Sequence, residues 1–376
     1  MELVPGLHGV PAAESKISYI DGKQGTLVYR GYAIGDLAEQ STFEETAFLL
    51  IKGHLPNRAE LTKFSEDLRA HRRLKFKIIS MLKLLPENGH PMAALAAAVS
   101  AMAMFYPEQM VEDVETRYQA MVRIIAKLPT IVAAFQRIRK GDEPIEPRDD
   151  LSHAENFLYM LSEKRQDPAV ARILDKCLVV HAEHAINAST FAARLTGSTL
   201  VNGYAVIASA VNTLAGPLHG AANEQVLAAL KQIGAPGRAK PIVEEHLRNR
   251  QVVPGFGHRA YKVRDPRAAI LQKLIVELCE RTGRSTLYEV ALEVERVAAQ
   301  HLGPKGVHAN VDFYNGILYD RMGIPSDLFP CLFAMSRVAG WLAHWNEQLQ
   351  RNVLYRPSQI FVGDKEKAYL ALDARA

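Results

Sequence analysis

Residues 201–233 read VNGYAVIASAVNTLAGPLHGAANEQVLAALKQI, and this stretch indicates the fold class of the chain. Segments 201–214 and 221–233 carry helical periodicity, and the pentapeptide GPLHG (216–220) separates them, since glycine and proline interrupt helices. The helical pattern recurs at 268–281, 286–301 and 329–349, whereas β-branched alternation hardly recurs. We therefore predict a mainly α protein.

Two local signals refine this prediction near the N-terminus. Residues 17–31, ISYIDGKQGTLVYRG, alternate apolar and polar side chains around turn-forming glycines, which predicts a small β-hairpin. Ser41 with Glu44, and Asn57 with Glu60, have the spacing of capping boxes, so a helix is expected to begin after each pair.

The chain of 376 residues exceeds the size at which a single core usually stops growing. Glycine and proline mark junctions near 216–217 and 323–325, which predicts a large helical domain of residues 1–218 and 324–376 and a smaller helical domain of residues 219–323. A cleft between the two domains is the expected site.

Composition and charge exclude several classes of protein. The net charge is only +4 and no dense run of Lys and Arg occurs, so no nucleic-acid partner is expected. Apolar stretches 93–105 and 200–218 are short or interrupted by polar residues, which favours buried helices over membrane spans. Three widely spaced cysteines are typical of reduced thiols, and no secretory signal is visible, so we predict a cytoplasmic protein.

Three short blocks place proton-handling residues at breaks in the helical pattern: GPLHG with His219, PGFGHRAYKVRDPR (254–267) with His258, and NVD (310–312) with Asp312. Two imidazoles and a carboxylate, with arginines nearby, suit proton transfer at a carbon acid beside an anionic substrate. Each block also has a plainer interpretation. His219 would fill a turn, His258 would lie in a solvated basic loop, and Asp312 would cap a helix.

Other polar residues stand out singly. His181 and His184 have a spacing that metal ligands use, but no third ligand is evident, so we predict no metal and expect His184 to donate a hydrogen bond to an anion or to lie in the core. Arg337 interrupts an apolar helical segment, and a buried guanidinium needs an anionic partner. Arg356, by itself, is expected at the surface.

Taken together, the blocks resemble the citrate synthase family in its shorter bacterial and archaeal form. GPLHG, VVPGFGH (252–258), DPR (265–267), NVD and SRVAG (336–340) occur in the family's order, and the hairpin segment and HAEHAINAST (181–190) match as well. The resemblance implies a two-domain, multihelical homodimer whose small domain is mobile. It also implies an acyltransferase of the tricarboxylic acid cycle that condenses oxaloacetate with acetyl-CoA and hydrolyses the citryl thioester, without a cofactor.

The resemblance assigns a role to each site residue. Asp312 would remove a proton from the acetyl methyl group, His219 would hold the enol oxygen, and His258 would polarise the oxaloacetate ketone and protonate the alkoxide. Four residues would bind oxaloacetate, the last of them reaching across from the partner subunit: His184, Arg267, Arg337 and Arg356. Three would contact CoA: Lys262, Lys305 and Asn310.

Three alternatives remain at this point. A 2-methylcitrate synthase would use the same residues with propionyl-CoA, and one methylene changes binding by only about 1–3 kcal/mol. A non-catalytic paralogue would bind metabolites but would have no need of Asp312. A metal-dependent hydrolase would use His181 and His184.

Overall fold

The computed structural model describes residues 3–106, 111–220 and 222–375, which form one small sheet and sixteen α-helices. The strands are β1 (Ser18–Asp21), β2 (Thr26–Tyr29) and β3 (Tyr32–Ala33). The helices are α1 (Ile34–Gln40), α2 (Phe43–Lys52), α3 (Arg58–Ala70), α4 (Phe76–Lys83), α5 (Pro91–Met102), α6 (Val114–Ile138), α7 (His153–Ser162), α8 (Pro168–His181), α9 (Ala188–Gly197), α10 (Gly203–Leu214), α11 (Ala222–Ile233), α12 (Ala239–Arg248), α13 (Pro266–Thr282), α14 (Thr286–Leu302), α15 (Val311–Arg321) and α16 (Phe329–Gln350).

The mainly α prediction is confirmed, and so is the N-terminal hairpin. β1 and β2 pair antiparallel, with Ser18 opposite Tyr29, and the short β3 adds a third strand that the sequence did not predict. Segment 221–233 is helical from Ala222 onward, and Ala221 lies outside the described residues.

One of the two predicted capping boxes is wrong. Thr42, not Ser41, caps α2, because the Thr42 side chain accepts a hydrogen bond from the Glu45 N–H at 3.2 Å. Glu44 points into the core, where its Oε1 accepts from the backbone N–H of His153 at 2.8 Å. The Asn57–Glu60 box at the start of α3 is confirmed.

Helices α6 and α16 lie at the centre of one group of helices. α6 has the length and composition of a membrane span, but 83% of its apolar window is buried inside the protein. It packs against α5, α7 and α16, which explains its apolar composition as that of a core helix. The fully buried Trp341 and Trp345 of α16 fill this core.

Helices α11 to α15 form a second group and pack mainly against one another. The GPLHG segment joins α10 to α11 at one boundary of this group, and residues 322–328 join α15 to α16 at the other. Helices α11 to α15 lie within residues 219–323, and the assignment of this stretch to a separate smaller domain stays a prediction.

The N-terminal hairpin contacts the loop that follows His258. The Lys262 N–H donates to the Gly22 carbonyl at 2.8 Å, so the hairpin turn and the loop share a backbone hydrogen bond. A Cβ at Gly22 would lie 2.0 Å from the carbonyl oxygen of Ala260. This close approach requires glycine at position 22 and fixes the loop beside the hairpin.

Candidate active site

Backbone hydrogen bonds bring the block that carries His258 beside the block that carries Asp312. The Gly257 N–H donates to the His308 carbonyl at 2.8 Å, and the Asn310 side-chain amide donates to the Gly257 carbonyl at 2.9 Å. The loop and the start of α15 are thus held as one unit.

Asp312 lies in the first turn of α15 and is not its cap. The cap is Asn310, whose side-chain oxygen accepts from the Asp312 N–H at 3.0 Å, so the interpretation of Asp312 as a helix cap is wrong. Burial raises the pKa of the Asp312 carboxyl to about 6, against the opposing effect of Arg267. Among the described side chains, the Asn315 amide donates a hydrogen bond to the Asp312 carboxylate at 3.5 Å. Asp312 is therefore available as a base near neutral pH.

His219 is held as one tautomer of the neutral imidazole. Its Nε2 lies 3.3 Å from the Ser189 N–H and 2.8 Å from the Ser189 Oγ. A backbone N–H can only donate, so Nε2 accepts and the proton is on Nδ1. Burial, with a smaller effect of Arg337, lowers the pKa of His219 to about 4. His219 therefore offers a neutral N–H donor.

His258 is held as the opposite tautomer. Its Nδ1 accepts from the backbone N–H groups of Ala260 at 3.0 Å and Tyr261 at 3.2 Å, so the proton is on Nε2. Burial, helped by Arg267, lowers the pKa of His258 to about 4. His219 and His258 are thus both neutral, and each offers an N–H donor, at Nδ1 and at Nε2 respectively.

His184 is buried beside His258, with ring centroids 5.1 Å apart. Its Nε2 lies 3.2 Å from the Tyr261 hydroxyl, and burial keeps its pKa well below the usual value. His181, by contrast, is a core histidine, because its Nδ1 contacts the Cys177 carbonyl at 2.7 Å and its Nε2 lies 3.3 Å from the Asn315 amide. Among the described residues no three His, Cys, Asp or Glu side chains meet as metal ligands.

Two buried arginines differ in their partners. Arg267 forms two hydrogen bonds with Asp265, at 3.0 and 2.7 Å, and this carboxylate holds the pKa of the guanidinium above its usual value against the effect of burial. Arg337 donates its Nε–H to the His181 carbonyl at 2.7 Å, but no carboxylate of the described residues lies within 4.0 Å of it. Burial lowers the pKa of Arg337 to about 10. A buried cation without an ion pair is costly, so this position favours binding of an anion.

Lys262, Lys305 and Arg356 lie at the surface, whereas Asn310 links the His258 loop to Asp312. Lys262 and Lys305 are exposed, and a Cβ at Gly306 would lie 3.2 Å from the Lys262 carbonyl, so the two lysines sit on adjacent segments. The side-chain groups of Asn310 both bond to the protein, and its contact with CoA stays a prediction. Arg356 is exposed in the irregular segment 351–371.

Comparison with known proteins gives a consistent result. The family model described as "Citrate synthase, C-terminal domain" matches residues 6–358. A citrate synthase of Synechocystis sp. is 52% identical over 370 residues, covering 98% of this chain and 93% of the relative, and one of Acidithiobacillus ferridurans is 50% identical, covering 99% and 98%.

Solved structures agree with these relatives. The citrate synthase of Pyrobaculum aerophilum has a TM-score of 0.93 at 38% identity, covering 99% of this chain and 95% of that one. A ternary complex of the Thermoplasma acidophilum citrate synthase with carboxymethyl coenzyme A and oxaloacetate has a TM-score of 0.95 at 30% identity, covering both chains completely (100%). The chain therefore belongs to the citrate synthase family.

Proposed function

We propose that this protein condenses acetyl-CoA with oxaloacetate and hydrolyses the citryl thioester, releasing citrate and CoA without a bound cofactor. The observation that carries this proposal is the pair of neutral histidines, His219 and His258, each with its N–H set by backbone amides, together with the raised pKa of Asp312. One base and two neutral donors are what an enolisation followed by addition to a ketone requires.

Each of the three catalytic residues acts on one atom of a substrate. Asp312 takes a proton from the acetyl methyl group, and the Nδ1–H of His219 donates a hydrogen bond to the thioester oxygen, so an enolate forms that this hydrogen bond stabilises. The enolate carbon then attacks the ketone carbon of oxaloacetate, while the Nε2–H of His258 polarises that ketone and then protonates the alkoxide. The proton that Asp312 took up then restores the Nε2–H of His258. Water hydrolyses the resulting citryl thioester, which frees the CoA thiol and the third carboxylate of citrate.

Oxaloacetate is a dianion, and the buried arginines supply the matching charge. Arg337 lacks a carboxylate partner among the described residues, and burial, helped by the charge of Arg267, lowers the pKa of Arg337. Arg267 has one guanidinium nitrogen outside the pair with Asp265. We assign these two arginines and His184 to oxaloacetate. Lys262 and Lys305 are assigned to the CoA phosphates, which they would meet as exposed cations.

We also propose that the active form is a homodimer in which Arg356 completes the partner's site. Most side chains of segment 351–371 are exposed to solvent in a single chain, including Phe361 at 57% and Val362 at 91% exposure. A second copy would bury such apolar side chains. Within the chain, residues 219–323 are proposed to close over the cleft, which would exclude water until the carbon–carbon bond forms.

The cellular setting follows from the same proposal. All three cysteines are free, which suits a reducing compartment, and we place the enzyme in the cytoplasm. Its reaction would serve the tricarboxylic acid cycle.

The function is tested by measuring the free CoA thiol that the purified protein releases from an acyl-CoA substrate. We expect release that depends on oxaloacetate and a higher kcat/KM with acetyl-CoA than with propionyl-CoA. A preference for propionyl-CoA would reassign the enzyme to 2-methylcitrate formation with the same residues. Absence of oxaloacetate-dependent release with either thioester would overturn the catalytic assignment and favour a metabolite-binding paralogue. Release that survives a chelator would exclude the metal-dependent hydrolase.

A further inference from the structure

The turn that carries His184, between α8 and α9, contains a strained residue. Ala185 has a φ of +50°, in the left-handed region that residues with a Cβ rarely adopt. Such a residue keeps this conformation only where its surroundings hold it. Since Ala185 follows His184 directly, whatever holds Ala185 also fixes the direction of the His184 side chain.

One hydroxyl group bonds to both sides of His184. Ser18 Oγ accepts from the Ala185 N–H at 3.1 Å and donates to Glu183 Oε1 at 2.9 Å. These two bonds use the hydroxyl as acceptor and as donor at once. Ser18 lies 165 residues from Glu183 in sequence, so β1 supplies this support from a distant part of the chain.

The residue opposite Ser18 in the sheet holds the same turn. Tyr29 pairs with Ser18 across β1 and β2, so both side chains lie on one face of the sheet. The Tyr29 hydroxyl accepts from the Glu183 N–H at 3.2 Å and lies 2.8 Å from the Glu183 carbonyl, to which it donates. Two hydroxyls of one cross-strand pair thus contact residues 183 and 185.

A hydrogen bond from His344 of α16 also holds the carboxylate of Glu183. It is fully buried, and its Oε1 lies 3.1 Å from the Nε2 of His344. His344 Nδ1 accepts from the Arg194 Nε–H at 3.0 Å, so the His344 proton is on Nε2 and points at Glu183. Glu183 therefore presents a fixed acceptor to Ser18.

We propose that Ser18 and Tyr29 are positioning residues for oxaloacetate binding, because their hydroxyls clamp the strained turn through Glu183 and Ala185 and so orient His184. This inference rests on the proposed function for the identity of the ligand. It assigns the N-terminal sheet, which carries none of the proposed catalytic groups, a part in substrate affinity.

The Ser18→Ala variant tests the clamp. We expect its Kd for oxaloacetate, measured by calorimetry, and its KM for oxaloacetate to rise roughly tenfold, since two hydrogen bonds at the turn are lost. The KM for acetyl-CoA and kcat are expected to stay within about twofold, because Asp312 and His219 are untouched. Ser18→Thr keeps the hydroxyl and should restore most of the affinity. An unchanged Kd in Ser18→Ala would overturn the proposal.

A second pair of variants removes a hydroxyl with a matched control. Tyr29→Phe is expected to weaken oxaloacetate binding in the same way, whereas Tyr19→Phe, at the neighbouring exposed position of β1, should bind normally. Equal effects of the two tyrosine variants would contradict the proposal. In the double variant Ser18→Ala with Ala185→Gly, glycine adopts the positive φ without a Cβ penalty, so part of the lost affinity should return.

Two outcomes separate this inference from the proposed function. A wild-type protein that binds oxaloacetate but releases no CoA would refute the reaction and leave the clamp measurable by calorimetry. If the wild-type protein is active and Ser18→Ala lowers kcat, raises both KM values and lowers thermal stability together, Ser18 has an ordinary structural role. That result would refute the clamp and leave the proposed function standing.

Discussion

At the scale of single residues, Asp312 sets the acid limit of the proposed reaction. Burial raises its pKa to about 6, and below that pH the carboxyl holds a proton and cannot take one from the substrate. We expect kcat/KM for acetyl-CoA to fall as the pH falls through about 6 and to level off above it. A pH–rate profile measures this limit, and a limit near the ordinary value of a carboxyl would contradict it.

Replacing Asp312 by the isosteric amide isolates the base. In Asp312→Asn we expect turnover to fall by about 10²–10⁴-fold while oxaloacetate binding is retained, since the amide cannot accept the proton. Asp320→Asn, on the same helix in a surface ion pair with Lys231, is the matched control and should keep wild-type rates. Comparable losses in both variants would point to a general effect on α15.

The sequence predicts most residues of the proposed site but not the hydrogen bonds within it. His219, His258 and Asp312 were predictable because each stands at a Gly- or Pro-marked break in helical sequence. Ser189 and Asp265 lie inside motifs that the sequence singled out, yet no spacing shows that the Ser189 N–H meets His219. That contact depends on how α9 and the GPLHG segment pack in three dimensions.

At the scale of elements, α16 passes unusually close to the turn of His184. A Cβ at Gly340 would lie 2.2 Å from Glu183 Oε2 and 2.5 Å from the Ala182 carbonyl oxygen. We expect Gly340→Ala to lower the free energy of unfolding by about 1–3 kcal/mol, because the core must shift to admit a methyl group. Arg337, one turn earlier on α16, should shift with it and raise the KM for oxaloacetate.

Chemical denaturation measures this effect, with Gly35→Ala in α1 as the control. Position 35 has open space around its missing Cβ and an ordinary helical φ, so alanine there should stabilise the protein by roughly 0.5–1 kcal/mol. Stabilisation by both substitutions would contradict the close approach at Gly340.

Helix boundaries show where local sequence stops being informative. Ser41 and Thr42 are neighbours that can both cap a helix, and the chain uses Thr42. Asn310 and Asp312 are both good caps as well, and the chain uses Asn310, which leaves the carboxylate of Asp312 for the site. The backbone direction set by tertiary packing decides between such candidates, so local sequence does not show which of two neighbouring cap residues begins a helix.

At the scale of the whole molecule, the proposed role of Arg356 makes two inactive proteins complement each other. A His219→Ala subunit keeps Arg356, and an Arg356→Ala subunit keeps His219, so a mixed dimer contains one intact site if Arg356 acts across the interface. Co-expression should therefore recover about a quarter of wild-type activity, since about half of the dimers are mixed. Thiol release from the co-purified mixture measures this recovery.

The control is co-expression of His219→Ala with Asp312→Asn. Both residues belong to one subunit's site in the proposed function, so a mixed dimer of these variants would have no intact site and should stay inactive. No recovery with Arg356→Ala in dimers shown to be mixed would place Arg356 in its own subunit's site. Recovery in the control would instead show that His219 and Asp312 act from different subunits.

The tautomers of His219 and His258 have a consequence for how this enzyme can change. Main-chain amides of residues 189, 260 and 261 direct the two protons, and every amino acid except proline supplies such an amide. Side chains around the bound thioester can therefore diverge, or be redesigned for a bulkier thioester, without changing which nitrogen of His219 or His258 carries the proton. Proline substitution at these three positions is the change that such diversification must avoid.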